Sequence, residues 1–436
     1  MRAVKGALAA AKINSSDILG IGVSGHGKGL YMLGKNGEEI YNGIVSTDNR
    51  AVKYQAMFEK NGVAEKIYET NYQKILAFQP VCLLRWFKDN EPEIYNKIGY
   101  VISVKDYIRY RLTGNINVER TDVSGSNLIN LTTGKKDKNI LKLFGIEEMF
   151  ECIPEIKNSN ENCGTVTDKA AEETGLSADT VVSGGMFDID ACALSMGITD
   201  AKNICVIAGT WSINEFISDK LIRCKSMNSY YCIPGYYLIE ECSPTSAGNL
   251  EWYLNIFGIE KDYNKINEAV ESVKAEDSKA VFLPFVYASN EENLGLQGTF
   301  ANLTASTTKA ELLRAVYEGI VFSHKSHLDK LLSLRGNDKS MRLTGGAANS
   351  DVWAQMFADC MGLNVETIAD KEHGCFGAAI SAGIACGMFS SEKSAADKFV
   401  KIEKIYKPNK DLYEIYQSKY KNYRKLISAL NNYYEV

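Results

Sequence analysis

A carboxylate at the start of a helix can bind that helix's first N–H groups, or it can take a proton from a hydroxyl that attacks phosphorus. Asp188 is open to both roles. It follows Gly184-Gly185 and opens the segment Ile189-Asp190-Ala191-Cys192-Ala193-Leu194. Asp190 competes with it, but two residues further on it points to another side of the helix. Glycines that follow a strand leave backbone N–H groups able to face an anion. Gly209-Thr210-Trp211-Ser212 has this form after Ile204–Ala208, and its two hydroxyls suit nucleotide phosphates. Gly345-Gly346-Ala347-Ala348 follows Met341–Thr344 and lets a flat ring or a ribose approach the backbone closely. Each is also what a tight turn with positive φ requires. Asp48-Asn49-Arg50 pairs an acceptor with a fixed cation, fit for gripping a polyol or for starting a helix with an exposed ion pair. Lys28, inside Gly25-His26-Gly27-Lys28-Gly29, has little to pack against; it reaches a polar ligand or is solvated.

The elements that must carry these residues alternate. Ile18–Ser24 reads as a buried strand entering the Gly25–Gly29 turn, and Leu30–Leu33 continues as a strand to a turn at Lys35-Asn36-Gly37. From Arg50 to about Ile156 the pattern is mainly helical, and Asn158–Asn162 reads as surface loop. Val181–Gly185 is a short strand before a helix, and Ile204–Ala208, Ile213–Phe216 and Met341–Thr344 are further strands. Strands that alternate with helices and close on glycine turns give an α/β architecture with ligand groups at strand ends.

A chain of 436 residues exceeds one hydrophobic core, so two domains are expected. A net charge of −5 without any Lys/Arg run excludes a nucleic-acid face. No apolar stretch would span a bilayer, and Lys12 cuts short the apolar run after Met1–Lys5, so the start reads as a helix rather than a signal peptide. The eleven cysteines form no CxxC pair, which argues for reduced thiols in a cytoplasmic protein and against zinc or a disulfide framework. His324 and His327 share a helix face, but no carboxylate or cysteine is placed to complete a metal site with them.

Longer segments resemble the FGGY family of carbohydrate kinases across essentially the whole chain. The family's first signature matches Phe78-Gln-Pro80-Val-Cys-Leu83-Leu84-Arg-Trp86-Phe87, with Leu83 where lysine is usual. The second matches Gly298-Thr-Phe300-Ala-Asn302-Leu303 and Glu311-Leu312-Leu-Arg-Ala315-Val316-Tyr317-Glu318, with Asn302 in place of glycine. Lys105-Asp106-Tyr107 and Leu112-Thr113-Gly114 look like a further family segment. Within the family, Gly25–Tyr31, Ser46–Arg50, Ser243–Trp252 and Tyr317–His324 look most like the L-xylulose kinase branch. D-xylulose kinases carry a Met-His pair at the positions of Gly27 and Lys28, which puts these two residues in sugar-contacting places.

The resemblance implies two ribonuclease-H-like (actin/hexokinase-type) domains, residues 1–197 and 198–436, with an active-site cleft between them. It implies ATP and Mg²⁺ as partners of a small sugar, most like L-xylulose. Asp188 is then the catalytic base and an indirect Mg²⁺ contact. His26, Gly27, Lys28, Asp48 and Arg50 line the sugar side, and Gly209, Thr210, Gly345, Gly346 and Asn349 serve the nucleotide. Family members begin with three strands carrying an Asp-x-Gly-Thr-like phosphate loop, whereas this chain opens at the helix after them. The expected consequence is an unpaired apolar edge at Ile18–Ser24, prone to association as a homodimer, and weak activity. Alternatives are D-xylulose or a polyol such as erythritol as substrate, a non-catalytic remnant, or an actin- or chaperone-like ATPase.

Overall fold

The computed structural model describes residues 2–224, 226–289, 291, 295–335, 340–369 and 372–434; Met1, part of the expected first helix, lies outside them. The chain forms two compact units: one is Met1–Thr199, Ile217–Ile239 and Glu372–Val400, the other Asp200–Phe216, Glu240–Lys371 and Lys401–Val436. The sequence division at 197/198 puts 217–239 and 372–400 in the C-terminal part, yet both segments pack in the first unit. Periodicity reveals which face of a helix is apolar, not which distant element covers it. The helix His373–Ala385, for instance, packs on the helix Asp188–Ser195.

In the first unit the expected strand Ile18–Ser24 is two short ladders. Gly20–Ile21 pairs in parallel with Val181–Ser183, which pairs on its other side with Asn162–Thr165. Ser24–Gly25 then pairs in parallel with Met186–Phe187. Between the ladders, a Cβ on Gly22 would lie 2.0 Å from the Ala378 carbonyl oxygen. The helix His373–Ala385 therefore rests directly on backbone, which only glycine permits. The Lys35–Gly37 turn forms as expected, with the Gly34 N–H on the Glu38 carbonyl at 2.8 Å. Helices Val52–Lys60, Pro80–Asn90 and Lys138–Phe144 close a core around Leu83, Leu84, Phe87 and Phe144. Pro80 opens its helix, where its missing N–H costs nothing. The expected surface loop Asn158–Asn162 holds in part, with Asn162 exposed and Asn158, Asn160 and Glu161 half-buried. Ser159 is buried, and its hydroxyl donates to Glu119 Oε1 at 2.8 Å.

In the second unit Ile204–Ala208 lies between two full ladders, antiparallel with Ser212–Ser218 and parallel with Ser340–Gly345. Asn364–Ile368 and Ile402–Tyr406 extend the sheet. The helix Lys309–Arg335 is buried on every side from Leu313 to Leu328, so its polar residues must find partners inside the protein. No helix among the described residues is long and apolar enough to cross a membrane.

Candidate active site

The candidate residues form two groups, one in each unit. In the first, the turn before Asp188 is fixed from several sides. Arg109 is buried in the helix Val104–Thr113 and donates to the Gly184 carbonyl, to the Asn117 carbonyl at 2.6 Å and to Asp106 at 2.9 Å. The Phe187 N–H donates to Thr121 Oγ1 at 2.9 Å, and the Thr121 hydroxyl donates to Glu119 at 2.7 Å. Asp188 is the first residue of its helix and stays partly exposed, where the helix N-terminus favours a carboxylate. Asp190 is 0% exposed, and its Oδ1 accepts the Cys232 N–H at 3.0 Å. Asp190 is thus the buried, bonded acid of the two, and Asp188 the partly exposed one.

Ser24–Gly25 pairs with Met186–Phe187 and so sets the Gly25–Gly29 loop beside this turn. A Cβ on Gly27 would fall 2.8 Å from the Phe187 ring, so the loop and the ring are in close contact. Lys28 is not loosely solvated. It is only 7% exposed, its Nζ lies 5.4 Å from the Phe187 ring centre, and its φ is +63°. That backbone conformation is unfavourable for a side-chain-bearing residue, and it is held by the Lys28 N–H on Asp122 Oδ1 at 3.1 Å. Asp122 Oδ2 accepts Lys105 Nζ at 2.9 Å, and Glu119 lies 3.4 Å from the same ammonium. Burial works against the charge of Lys105, but Asp122, Asp106 and Glu119 outweigh it and raise its pKa. Burial likewise opposes ionised Asp106, and Lys105 and Arg109 overcome that and lower its pKa. His26 meets the Tyr31 hydroxyl at 3.2 Å.

Asp48 and Arg50 grip each other in a bidentate pair, with Arg50 Nε 2.9 Å from Oδ1 and Nη2 2.8 Å from Oδ2. The Arg50 guanidinium also covers Trp86 at 5.1 Å. Burial tends to raise the Asp48 pKa, and the bonds from Arg50 reverse this and lower it. The segment runs beside the Lys28 loop, because Leu30 and Ile44 exchange backbone hydrogen bonds of 2.9 Å.

In the second unit Gly209, Thr210, Gly346 and Asn349 line one cavity of about 460 Å³, a size that suits a small ligand. Gly345 shapes it from behind. Its φ is +87°, and a Cβ there would lie 2.5 Å from the Ala208 carbonyl oxygen. The sequence did not single out the other walls. Tyr317 and Trp353 stack at 4.2 Å and 26°, and Asn267 accepts both the Tyr317 hydroxyl at 3.1 Å and the Ser350 hydroxyl at 2.8 Å. Ala247 and Gly248 complete the rim opposite Thr210. Among the described residues no three His, Cys, Asp or Glu gather as a metal site. A Mg²⁺ that arrives on nucleotide phosphates keeps most of its waters and needs no such cluster.

Comparison with known proteins gives one answer for both units. The sequence model of the N-terminal domain of the FGGY family of carbohydrate kinases matches residues 1–195, and that of the C-terminal domain matches residues 204–386. The L-xylulose/3-keto-L-gulonate kinase of Escherichia coli is 37% identical over 438 residues, covering 100% of this chain and 87% of that protein. A probable L-xylulose kinase of Haemophilus influenzae is 37% identical over 420 residues, covering 95% of this chain and 85% of its own. Among solved structures, xylulose kinase from Lactobacillus acidophilus superposes with a TM-score of 0.91 at 22% identity, over 99% of this chain and 88% of that one. Plasmodium falciparum glycerol kinase with ADP does so with a TM-score of 0.86 at 19% identity, over 98% and 87%.

Proposed function

The chain belongs to the FGGY family of carbohydrate kinases, and on that premise we propose that it phosphorylates a terminal hydroxyl of a ketopentose, L-xylulose before others. Sugar kinases of this family use ATP and a divalent metal. Asp188 accepts the proton of the attacking hydroxyl, and the loop His26-Gly27-Lys28, with Asp48 and Arg50 beside it, holds the sugar. Gly209 and Thr210 take the phosphates through backbone N–H groups and a hydroxyl, while Gly345, Gly346 and Asn349 hold the adenosine part. Mg²⁺ bound with the nucleotide would supply withdrawal of charge from the transferring phosphoryl group, with Asp188 as its indirect protein contact. The protein supplies alignment, a proton acceptor and exclusion of water, which would otherwise compete as phosphoryl acceptor.

The observation that carries the catalytic assignment is the contrast between the two aspartates. Asp190 is committed to the Cys232 backbone, and Asp188 stands partly exposed beside the Lys28 loop. The sugar preference rests on relatives whose names specify L-xylulose. All eleven cysteines are free thiols, which fits a reducing, cytoplasmic setting.

ADP release from ATP–Mg²⁺ with L-xylulose, 3-keto-L-gulonate, D-xylulose, erythritol or no sugar tests the reading. The expected result is sugar-dependent turnover with kcat/KM for L-xylulose roughly tenfold or more above that for D-xylulose. Turnover independent of sugar overturns it in favour of an ATPase, and failure to bind nucleotide in favour of a non-catalytic remnant.

A further inference from the structure

His324 lies in the middle of the helix Lys309–Arg335, is fully buried, and uses both ring nitrogens. Nδ1 is 2.8 Å from Asn214 Oδ1 and 3.1 Å from Ser212 Oγ, and Nε2 is 2.8 Å from Ser246 Oγ. Asn214 assigns the tautomer. Its amide nitrogen donates to Ser212 Oγ at 3.0 Å and to the Glu241 carbonyl at 3.3 Å, so its oxygen faces the ring and accepts Nδ1–H. Nε2 is then the acceptor for the Ser246 hydroxyl.

The positions of the two serines give this bridge its meaning. Ser212 ends the loop that begins Gly209-Thr210, and Ser246 immediately precedes Ala247-Gly248. All four of those loop residues line the 460 Å³ cavity. The loops already touch, since a Cβ on Gly248 would lie 3.5 Å from the Thr210 carbonyl oxygen. Ser246 is fixed on its other side, where Asn249 Nδ2 donates to its carbonyl at 3.0 Å. One imidazole therefore ties together, from beneath, two loops that close on the same ligand volume.

We propose that His324 is a positioning residue for the nucleotide, a buried brace that sets the spacing between the Thr210 loop and the Ala247-Gly248 loop. The proposal rests on reading this cavity as the nucleotide site. Burial, with a smaller contribution from His327, holds the His324 pKa down to about 3, so the ring stays neutral with one donor and one acceptor. His327, three residues further along the same helix, supplies an internal control. It bonds Glu241 and Ser243, both at 3.1 Å, and neither lines the cavity.

The test is ADP affinity by titration calorimetry on the full chain, with thermal unfolding and the sugar KM recorded for each variant. An asparagine amide nitrogen can replace Nδ1, and a glutamine amide oxygen can replace Nε2. His324→Asn keeps the bond to Asn214 and loses Ser246, whereas His324→Gln keeps Ser246. Ser246→Ala removes the same bond without touching the helix. Ser246→Ala and His324→Asn are expected to weaken ADP roughly 5- to 20-fold with the sugar KM unchanged, His324→Gln to recover part of the loss, and His327→Asn to bind ADP as wild type. Gly346→Val separates the brace from the reading beneath it. A Cβ there meets nothing nearer than 3.8 Å, and Gly346 lines the cavity, so a branched side chain would take up ligand space. If Gly346→Val abolishes ADP binding while Ser246→Ala and His324→Asn bind normally, the brace is wrong and the site stands. If Gly346→Val leaves ADP binding intact, the site assignment fails and the brace falls with it.

Discussion

The two units hold their glycine loops in opposite ways. In the second, Ile204–Ala208 is hydrogen-bonded along its length on both sides and delivers Gly209-Thr210 from a rigid ladder. In the first, Gly20–Ile21 is paired only with Val181–Ser183 among the described residues, and the ladder breaks at Gly22-Val23. The burial differs accordingly. Ile204, Cys205 and Val206 are 0% exposed, while Leu19 is 56% exposed. The Lys28 loop gets its fixity from ions instead, through Asp122, Lys105 and Glu119. A ladder is built from uniform backbone groups and tolerates many side chains. A buried ion cluster depends on every member, because loss of one leaves the others charged and unpaired.

Substitutions at five positions probe this contrast, in order of falling effect. Asp188→Asn removes the proposed proton acceptor, and sugar-dependent turnover should fall about 10²- to 10⁴-fold with sugar binding largely kept. Asp190→Asn should instead lower the melting temperature, because the Cys232 N–H loses its charged acceptor. Turnover more sensitive to Asp190 than to Asp188 would reverse the assignment.

Lys105→Met breaks the ion cluster, and about 3–5 kcal/mol of stability should go with it, a large part of the ~5–15 kcal/mol typical of a domain. Calorimetry should then show a first unit that unfolds earlier, with the second unit's transition little moved. The pH dependence has a definite sign. Lys105 has a raised pKa, so its contribution is complete below its unfolded pKa of about 10.4 and is lost as pH rises beyond that. Asp106 has a lowered pKa, so its contribution is present above about pH 3.9 and is lost as pH falls through the folded value. A melting profile flat across both edges would show that the cluster does not hold the unit.

Lys28 separates backbone from side chain. Lys28→Gly relieves the strained φ of +63° and loses the ammonium, whereas Lys28→Ala loses the ammonium and keeps the strain that the lysine already bears. Both should raise the sugar KM about tenfold or more with the ATP KM nearly unchanged, and the Gly variant should melt no lower than the Ala variant. The reverse kinetic pattern would remove this loop from the sugar side. Asp48→Ala is expected to be mildest for stability, within about 1 kcal/mol, since the Asp48–Arg50 pair is partly solvated. A rise in sugar KM without a change in melting temperature would mark the pair as a sugar contact rather than a helix-start ion pair.

What the sequence made legible was local. Glycine loops after strands, the aspartate at a helix start and the long family segments are contiguous, and Gly209, Thr210, Gly346 and Asn349 do share one cavity. What it hid was distant. Asp122 meets Lys28 across 94 positions, and no spacing rule links them. Lys105 stands in a family-like segment, but its role depends on Asp122 and Glu119 folding onto it. Trp353 and Asn267 join the Tyr317 wall only in three dimensions. The break at Gly22 was unreadable because its cause, the Ala378 carbonyl, belongs to a helix more than three hundred residues away.

The left-handed backbone at Lys28 also has an evolutionary consequence. This geometry constrains which residues can replace Lys28, because β-branched residues are nearly barred from that conformation. Single-step drift through Thr or Ile is therefore obstructed, while Asn tolerates the geometry. Any lineage that carries a branched residue here must have remodelled the loop as well, so position 28 and Asp122 are expected to change together rather than separately.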